Sequence, residues 1–546
     1  MDDRAVVLVV GAGPVGLTVA YELARRGVNV RLIDKAAGPA VTSRALAVHA
    51  RTLEICDQMG VLPELLPRGR RVEHFTIHMR GRTLVRFDTD YSDMPTRHPF
   101  SLMVDQVVTE EVLRTCLRRL GVTIEWGVEL ERLTPREDGA DVTLRRADGG
   151  VESMSVPWLV GTDGAHSLVR RQLGLRLIGT ASETWLNADV VIDADLPPDS
   201  NHLLHTGHGT LLLVPFPEAR KWRVIDTHDI DGAEDPELIR SRLSEKLGRA
   251  LGRPVSVAAP TWVSVFAVQQ RMIEAMRVGR CFVAGDAAHV HSPASGQGMN
   301  TGIQDGYNLA WKLADVVRGH ARESLLDSYS AERVPIGEKL LRSTRVATGL
   351  VAFRNAAGPV LMPLGLGLIR NVKPLKNKLE RKLIRGFCGL TLAYPHSPLS
   401  LDRSDGADMR GVGERVAYPE AALSHPGWRE LRLELADPRW TLLTTAEPSA
   451  SAWTTAPLLE TADRRYGAAV SVRTVCLEPT DGGTRPLADP DGALRHDLDL
   501  RGGEYLLVRP DGYLAARGPL TDEHALTELM DFIGLLPAEA QVQGEV

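Results

Sequence analysis

The segment Ala5–Asp34, AVVLVVGAGPVGLTVAYELARRGVNVRLID, decides the fold. Ala5–Val10 is a short, unbroken apolar run, as expected of a strand buried on both faces. Gly11, Gly13 and Gly16 then spell G-x-G-x-x-G, a helix carrying Leu17, Ala20, Tyr21 and Ala24 runs to Gly27, and Val28–Ile33 reads as a second strand ending on Asp34. Gly11 makes the turn, Gly13 lets the backbone approach a pyrophosphate, Gly16 permits close helix packing, and Asp34 can accept from ribose hydroxyls. The pattern calls for an ADP moiety but does not separate NAD from FAD.

Working outward, Thr42–Met59 reads as a helix capped by Thr42 or Ser43 and ended by Gly60, with Ser43 and Arg44 at its start either meeting a cofactor or lying in solvent. Residues 72–99 alternate like strands. Asp105–Leu120 returns to helical spacing with Gln106 near its start, and Asp148-Gly149 sits between extended runs as a hairpin turn. Trp158–Val160 is another buried strand, leading through Thr162, Asp163, Gly164 and Ser167 into a helix with Val169 and Arg170. From Leu175 to Arg277 long alternating segments, Leu186–Ile192, Gly209–Pro215 and Lys221–Thr227, predict an antiparallel sheet with one helix at Pro236–Leu247. Its His205, His208, Arg223 and His228 are candidate substrate contacts, against the alternative that they face solvent or hold the sheet.

A second glycine-bearing unit lies at Val278–Val317, VGRCFVAGDAAHVHSPASGQGMNTGIQDGYNLAWKLADVV. Cys281–Ala284 is a strand, Gly285-Asp286 a turn, and Pro293, Gly296 and Gly298 lie in a loop before an amphipathic helix. Gly298, Met299 and Asn300 would offer backbone N–H groups at that helix's N-terminus, a seat for something electron-rich.

Composition limits the alternatives. The 546 residues are 43 % apolar, enough for several cored domains, and 64 Lys plus Arg against 70 Asp plus Glu give a net charge of −6, which argues against nucleic acid as a partner. The five cysteines, Cys56, Cys116, Cys281, Cys388 and Cys476, are scattered without C-x-x-C or metal-ligand spacing. They read as reduced core thiols of a cytoplasmic protein, with no metal site. The start carries Asp2 and Asp3 where a signal peptide would be basic, and the apolar run Ala356–Ile369 is short and broken by prolines and glycines, so no transmembrane helix is expected.

Taken together, Gly11-x-Gly13-x-x-Gly16, Gly161-Thr162-Asp163-Gly164 with Ser167 and Arg170, and Gly285-Asp286 with Pro293, Gly296, Gly298 and Asn300 resemble the three fingerprints of class A flavoprotein aromatic hydroxylases, the FAD-dependent monooxygenases of the para-hydroxybenzoate hydroxylase fold. The resemblance covers about residues 1–400. It implies an α/β protein: a Rossmann-like FAD-binding domain (1–71, 100–174 and 278–345) with an inserted antiparallel-sheet substrate domain (72–99 and 175–277). A helical connection (346–397) and a thioredoxin-like C-terminal domain (398–546) would follow. It implies tightly bound FAD, transient NADPH or NADH, and O2, with a C4a-hydroperoxide passing one oxygen to a phenolic, polycyclic polyketide.

By the same resemblance Asp34 would hold the adenosine ribose, Ser43, Arg44 and Gln106 would line FAD, and Asp163 would serve the dinucleotide region. Gly285 and Asp286 would lie near the ribityl chain and pyrophosphate, and Gly296, Gly298, Met299 and Asn300 would face the flavin ring. Pro293, Asn300 and Arg44 would stand at the reacting edge. The C-terminal segment, with strands at Trp440–Thr445, Ala469–Cys476 and Tyr505–Val508, a Pro510-Asp511-Gly512 turn and a helix near Asp522–Phe532, lacks C-x-x-C and so cannot perform dithiol chemistry.

Three other outcomes stand beside aromatic hydroxylation: Baeyer–Villiger or epoxidising oxygenation on the same scaffold, a non-catalytic flavin sensor, and halogenation, for which no W-x-W-x-I-P occurs. The basic stretch Arg370–Arg385 suggests a solvated helix face or, less simply, a membrane-surface helix. The chain would act as a monomer or homodimer.

Overall fold

The structure, a computed structural model, describes the chain except at 1–5, 43–44, 207–208, 292–295, 353–371, 404–410, 446–451, 478–484 and 542–546. A six-stranded sheet runs in the order Arg277–Val278, Cys281–Val283, Trp158–Gly161, Val7–Val10, Val30–Asp34 and Ile124–Trp126. All neighbours are parallel except the first pair. Val7, Leu8 and Val9 are fully buried because helices cover the central strand, which is why it reads as continuous apolar sequence. Helices Pro14–Arg25, Gln106–Arg119 and Gly298–Val317 pack together on this sheet, and a smaller sheet of Val128–Pro135, Ala140–Arg146 and Val151–Val156 adds its apolar residues to the same core.

The second sheet is ordered His289–Val290, Trp262–Met272, Ile178–Asp193, Lys221–Asp226, Thr210–Pro215, Ser200–His205, His74–Met79 and Arg82–Asp88. It is not wholly antiparallel: Ser200–His205 pairs parallel with His74–Met79, because residues 72–99 deliver that hairpin from another part of the chain. Strand alternation sorts its faces. Leu186, Ala188, Val190, Leu211, Leu213, Trp222 and Val224 pack against the Pro236–Leu251 helix. The intervening residues point to the opposite face.

The C-terminal sheet has the order Leu401–Asp402, Leu514–Pro519, Glu504–Val508, Trp440–Thr445, Val470–Cys476 and Pro486–Ala488. Helix Ala452–Tyr466 joins the parallel pair Trp440–Thr445 and Val470–Cys476, and helix Glu523–Ile533 closes the unit. In chain order the unit runs strand, helix, strand, then the edge strand Pro486–Ala488 and the short helix Ala493–Asp497, then an antiparallel strand pair and the closing helix, and its Cys476 is a lone buried thiol among the described residues. It docks on the Gly298–Val317 helix: the Trp311 and Trp440 rings meet edge-to-face at 5.3 Å and Trp440 Nε1 donates to Asp315 Oδ2 at 3.1 Å. Arg509, beside the Pro510-Asp511-Gly512 turn, donates to Glu332 at 2.6 and 2.9 Å and to Asp511 at 2.9 and 2.7 Å. Lys312 and Asn308 reach the same Glu332 carboxylate.

Two expectations change. The helix expected over 42–59 covers only Ala50–Gln58, with His49 at its N-cap; Ala47–Val48 instead pairs with Ser101–Met103. Sheet pairing overrides a helical pattern that composition alone supports. On the basic helix Lys373–Phe387 part of the charge is paired within the protein, since Lys376, Arg381 and Arg385 bond Asp88, Asp90 and Asp93 at 3.2, 2.9 and 2.6 Å; the apolar stretch before it lies outside the described residues. Among the described residues no helix is long and apolar enough to cross a membrane.

Candidate active site

The first glycine loop is shaped by contacts that exclude side chains. Gly11 has φ +105°, and a Cβ there would lie 2.6 Å from Thr162 O; a Cβ at Gly16 would lie 1.8 Å from Gly11 O. A Cβ at Gly13, by contrast, would meet nothing within 4 Å. Gly13 is also the N-cap of the Pro14–Arg25 helix and gives it no side-chain cap, leaving backbone donors for a ligand. Asp34 accepts from Ala12 N–H at 2.7 Å and Ala36 N–H at 2.8 Å, holding the loop's curve beside its own second strand.

The second fingerprint is tied to the first by Thr162, whose hydroxyl donates toward Val10 O and Gly11 O, each at 2.9 Å. The Asp163 carboxylate accepts from Leu168 N–H at 2.7 Å, Val169 N–H at 3.1 Å and the Ser167 hydroxyl, so it caps the Leu168–Gln172 helix. Thr162 and Gly164, not Asp163, reach the cavity described below. Arg170 joins the second fingerprint to the third by donating to Ala287 O at 3.1 Å.

The third fingerprint is braced from behind by Asp305. Its carboxylate accepts from Gly285 N–H at 3.1 Å, His289 Nε2 at 2.6 Å and Arg333 Nε at 2.7 Å. Burial alone would raise its pKa, but Arg333 and then His289 outweigh that and hold it down at about 2. Burial, reinforced by His289, pushes His291 down to about 3, so a neutral imidazole stands in the cavity wall.

One cavity of about 420 Å³ brings these pieces together. Gly13, Gln106, Asp286, Gly296, Gly298 and Met299 line it from the first domain, and Phe75, Asn187, Asn201, Leu212, Val214, Arg223 and Ile225 line it from the second sheet. Gln106 accepts from Ala45 N–H at 3.1 Å and so holds the adjoining wall. The Gly298–Val317 helix begins at the cavity with no side-chain cap, so its first N–H groups face the space. A long ligand with an anionic middle, a hydroxyl-bearing chain and a flat electron-rich end fits this outline, as FAD requires: open backbone at Gly13 for the anion, the Asp286 carboxylate to accept from hydroxyls, and a helix start at Gly298 for the electron-rich end.

The other residues singled out in the sequence fall elsewhere. Asn300 is not among the cavity's lining residues, and its carboxamide accepts from His49 N–H at 2.9 Å and donates to Ala47 O and Gly296 O at 2.8 Å. It clamps the wall. Gly285 packs against Val15 with φ +64°, out of the lining. Of the substrate candidates Arg223 lines the cavity, with its guanidinium bonded twice to Asp189 at 2.7 Å, whereas His205 and His228 do not. Ser43, Arg44, His208 and Pro293 lie outside the described residues. Sequence reading missed Asn187 and Asn201, whose face is decided by strand register alone.

Comparison with known proteins agrees with this geometry. Residues 4–344 match the family model described as "FAD binding domain". The chain is 59 % identical over 538 residues to the 6-methylpretetramide 4-monooxygenase of Streptomyces rimosus, covering 98 % of this chain and 95 % of that one. It is 32 % identical to the pentachlorophenol 4-monooxygenase of Sphingobium chlorophenolicum, covering 96 % of each. Among solved structures, the OxyS anhydrotetracycline hydroxylase from Streptomyces rimosus superposes with a TM-score of 0.74 at 29 % identity, covering 97 % of this chain and 99 % of that one.

Proposed function

Because the chain belongs to the FAD-binding-domain family and is a flavin-dependent aromatic monooxygenase of the polyketide-tailoring kind, we propose that its substrate is a fused phenolic tetracycle of the pretetramide class. One ring C–H becomes C–OH: one atom of O2 enters the product, the other leaves as water, and NAD(P)H with a proton supplies the two electrons. The observation carrying this reading is the cavity that runs from the glycine loop at Gly13 to an apolar sheet wall of Leu212, Val214 and Ile225. Bound FAD supplies the electron transfer and oxygen activation that side chains lack.

The protein's own contribution is placement and charge. Backbone N–H groups of Gly298 and Met299 would stabilise negative charge on a flavin held there, and the dipole of the 20-residue helix behind them would add to this. Leu212, Val214 and Ile225 exclude water from the opposite side and hold an apolar ring plane. The Gly13 backbone would hold the phosphate-bearing middle, the Asp286 carboxylate would accept from the hydroxyls of the adjoining ribityl chain, and Asp34 keeps the loop in shape.

The test is incubation of holoenzyme with NADPH, isotopically labelled O2 and 6-methylpretetramide, followed by mass analysis. One labelled hydroxyl in the product is expected. A ring-expanded lactone, or NADPH oxidation that leaves the substrate unaltered, would sink the reading.

A further inference from the structure

Asn187 and Asn201 both line the cavity from the sheet side, and the Oδ1 of each is shut off from solvent with no hydrogen-bond partner among the described residues. An unpaired buried amide is costly, and one cavity wall holding two of them needs an explanation. Their spacing supplies it. Asn187 belongs to Ile178–Asp193 and Asn201 to Ser200–His205, and Lys221–Asp226 and Thr210–Pro215 run between those strands. Three strand spacings, with an offset of two residues along the last strand, put the two positions about 16 Å apart on the sheet.

The interval between them is apolar. Register places Ile225 directly across from Asn187 and Leu212 across from Ile225, both lining the cavity, and Leu203 across from Leu212, two residues along the strand from Asn201 and so on the same face; Phe75 stands across from Asn201 on its far side. The cavity's cation on this face, Arg223, is engaged by the Asp189 carboxylate, so the charge there is balanced. The wall is therefore a flat greasy strip with a neutral hydrogen-bonding group at each end.

We infer that Asn187 and Asn201 are specificity-determining residues that grip the two polar ends of one planar, linearly fused ketophenol lying across the strands. This rests on the functional reading above and narrows it: a single ring cannot bridge the two amides, whereas three or four fused rings can. A carboxamide donates and accepts, so it suits the paired hydroxyl and carbonyl oxygens at the rim of such a substrate. Discrimination arises because a substrate too short for the strip reaches only one of the two amides.

The test compares naphthol, dihydroxyanthraquinone and dihydroxynaphthacenedione as ligands of the FAD-loaded protein, followed by the flavin absorbance change and by hydroxylated product. Wild type should bind the four-ring probe at least tenfold more tightly than naphthol. Asn187→Leu and Asn201→Leu keep the volume while removing the unpaired amide, so flavin content and Tm should hold or rise. Each should nevertheless weaken the four-ring probe about tenfold and leave naphthol nearly unchanged. A fall in Tm with unchanged probe affinity would make the amides structural and overturn the inference. So would equal affinity of wild type for all three probes, which leaves hydroxylation standing if product still forms. Absence of oxygenated product from every probe and from 6-methylpretetramide would instead overturn the functional reading, and the inference with it.

Discussion

The carboxamide of Asn300 accepts a hydrogen bond from the backbone N–H of His49 at 2.9 Å, joining segments 251 residues apart. Because the same side chain donates to Ala47 O and Gly296 O, it fixes the cavity wall on either side of the helix start. Asn300→Ala leaves these backbone groups unpaired in a buried place, costing about 1–3 kcal/mol for each group that water cannot reach. A lowered Tm and about tenfold weaker FAD retention are expected, with Asn300→Asp intermediate because it still accepts from His49 but loses both donations. Wild-type Tm and flavin content in Asn300→Ala would show that the clamp is dispensable.

Two glycines of one motif should fail differently. Gly16→Ala drives a Cβ to 1.8 Å from Gly11 O, so the loop and helix must separate, and a destabilisation of about 1–3 kcal/mol or more is expected. Gly13→Ala meets no protein atom within 4 Å and should fold with an unchanged apoprotein Tm. Its methyl instead occupies the ground a pyrophosphate needs, so FAD affinity should fall at least tenfold. Thermal melts of apoprotein beside flavin titrations separate the two outcomes. Equal effects of both substitutions on Tm would contradict the open site at Gly13.

These two cases mark what the sequence discloses. The Ala5–Asp34 unit is legible because its turn, packing and acid all act within 30 consecutive residues. The clamp made by Asn300 is not, since two of its three partners, His49 and Ala47, lie some 250 residues away and nothing local distinguishes it from a ring-facing residue. For the same reason 45–49 reads as helix until its partner strand Ser101–Met103 is seen, and the Lys373–Phe387 charges read as solvated until Asp88, Asp90 and Asp93 are placed opposite. The inserted strands are legible as alternation, but alternation alone does not say which face meets a ligand. Arg223 and Asn187 therefore looked unequal as candidates, although both line the cavity.

The buried Glu332 should be the keystone of the C-terminal dock. It accepts from Arg509, Lys312 and Asn308, and also from Ser397 Oγ at 2.6 Å. Arg509 and Lys312 hold it well below the usual carboxylate range against the opposing effect of burial. Glu332→Gln strands the buried Lys312 and leaves Arg509 with Asp511 alone, and should cost about 3–5 kcal/mol. Lys312→Met should cost much less, because burial already pushes Lys312 down to about 8 and Arg509 still neutralises Glu332. Denaturant unfolding followed by Trp fluorescence would read this at the Trp311–Trp440 contact. A larger loss for Lys312→Met than for Glu332→Gln would reverse the assignment.

Asp305 predicts an acid limit on the site. Its folded pKa of about 2 lies below the ordinary value near 3.9, so the folded state favours the charged form. The resulting stability is fully present above about pH 4 and is lost as pH falls towards about 2, because the unfolded chain takes up the proton first. Asp305→Asn removes this dependence and leaves Arg333 without its anion, which should cost about 3–5 kcal/mol at neutral pH. The gap between wild type and variant should then narrow by roughly 2 kcal/mol between pH 4 and pH 2. Stability against pH, measured on both proteins, checks this directly: parallel curves would mean that Asp305 is not held ionised by Arg333 and His289 behind the Gly285-Asp286 turn.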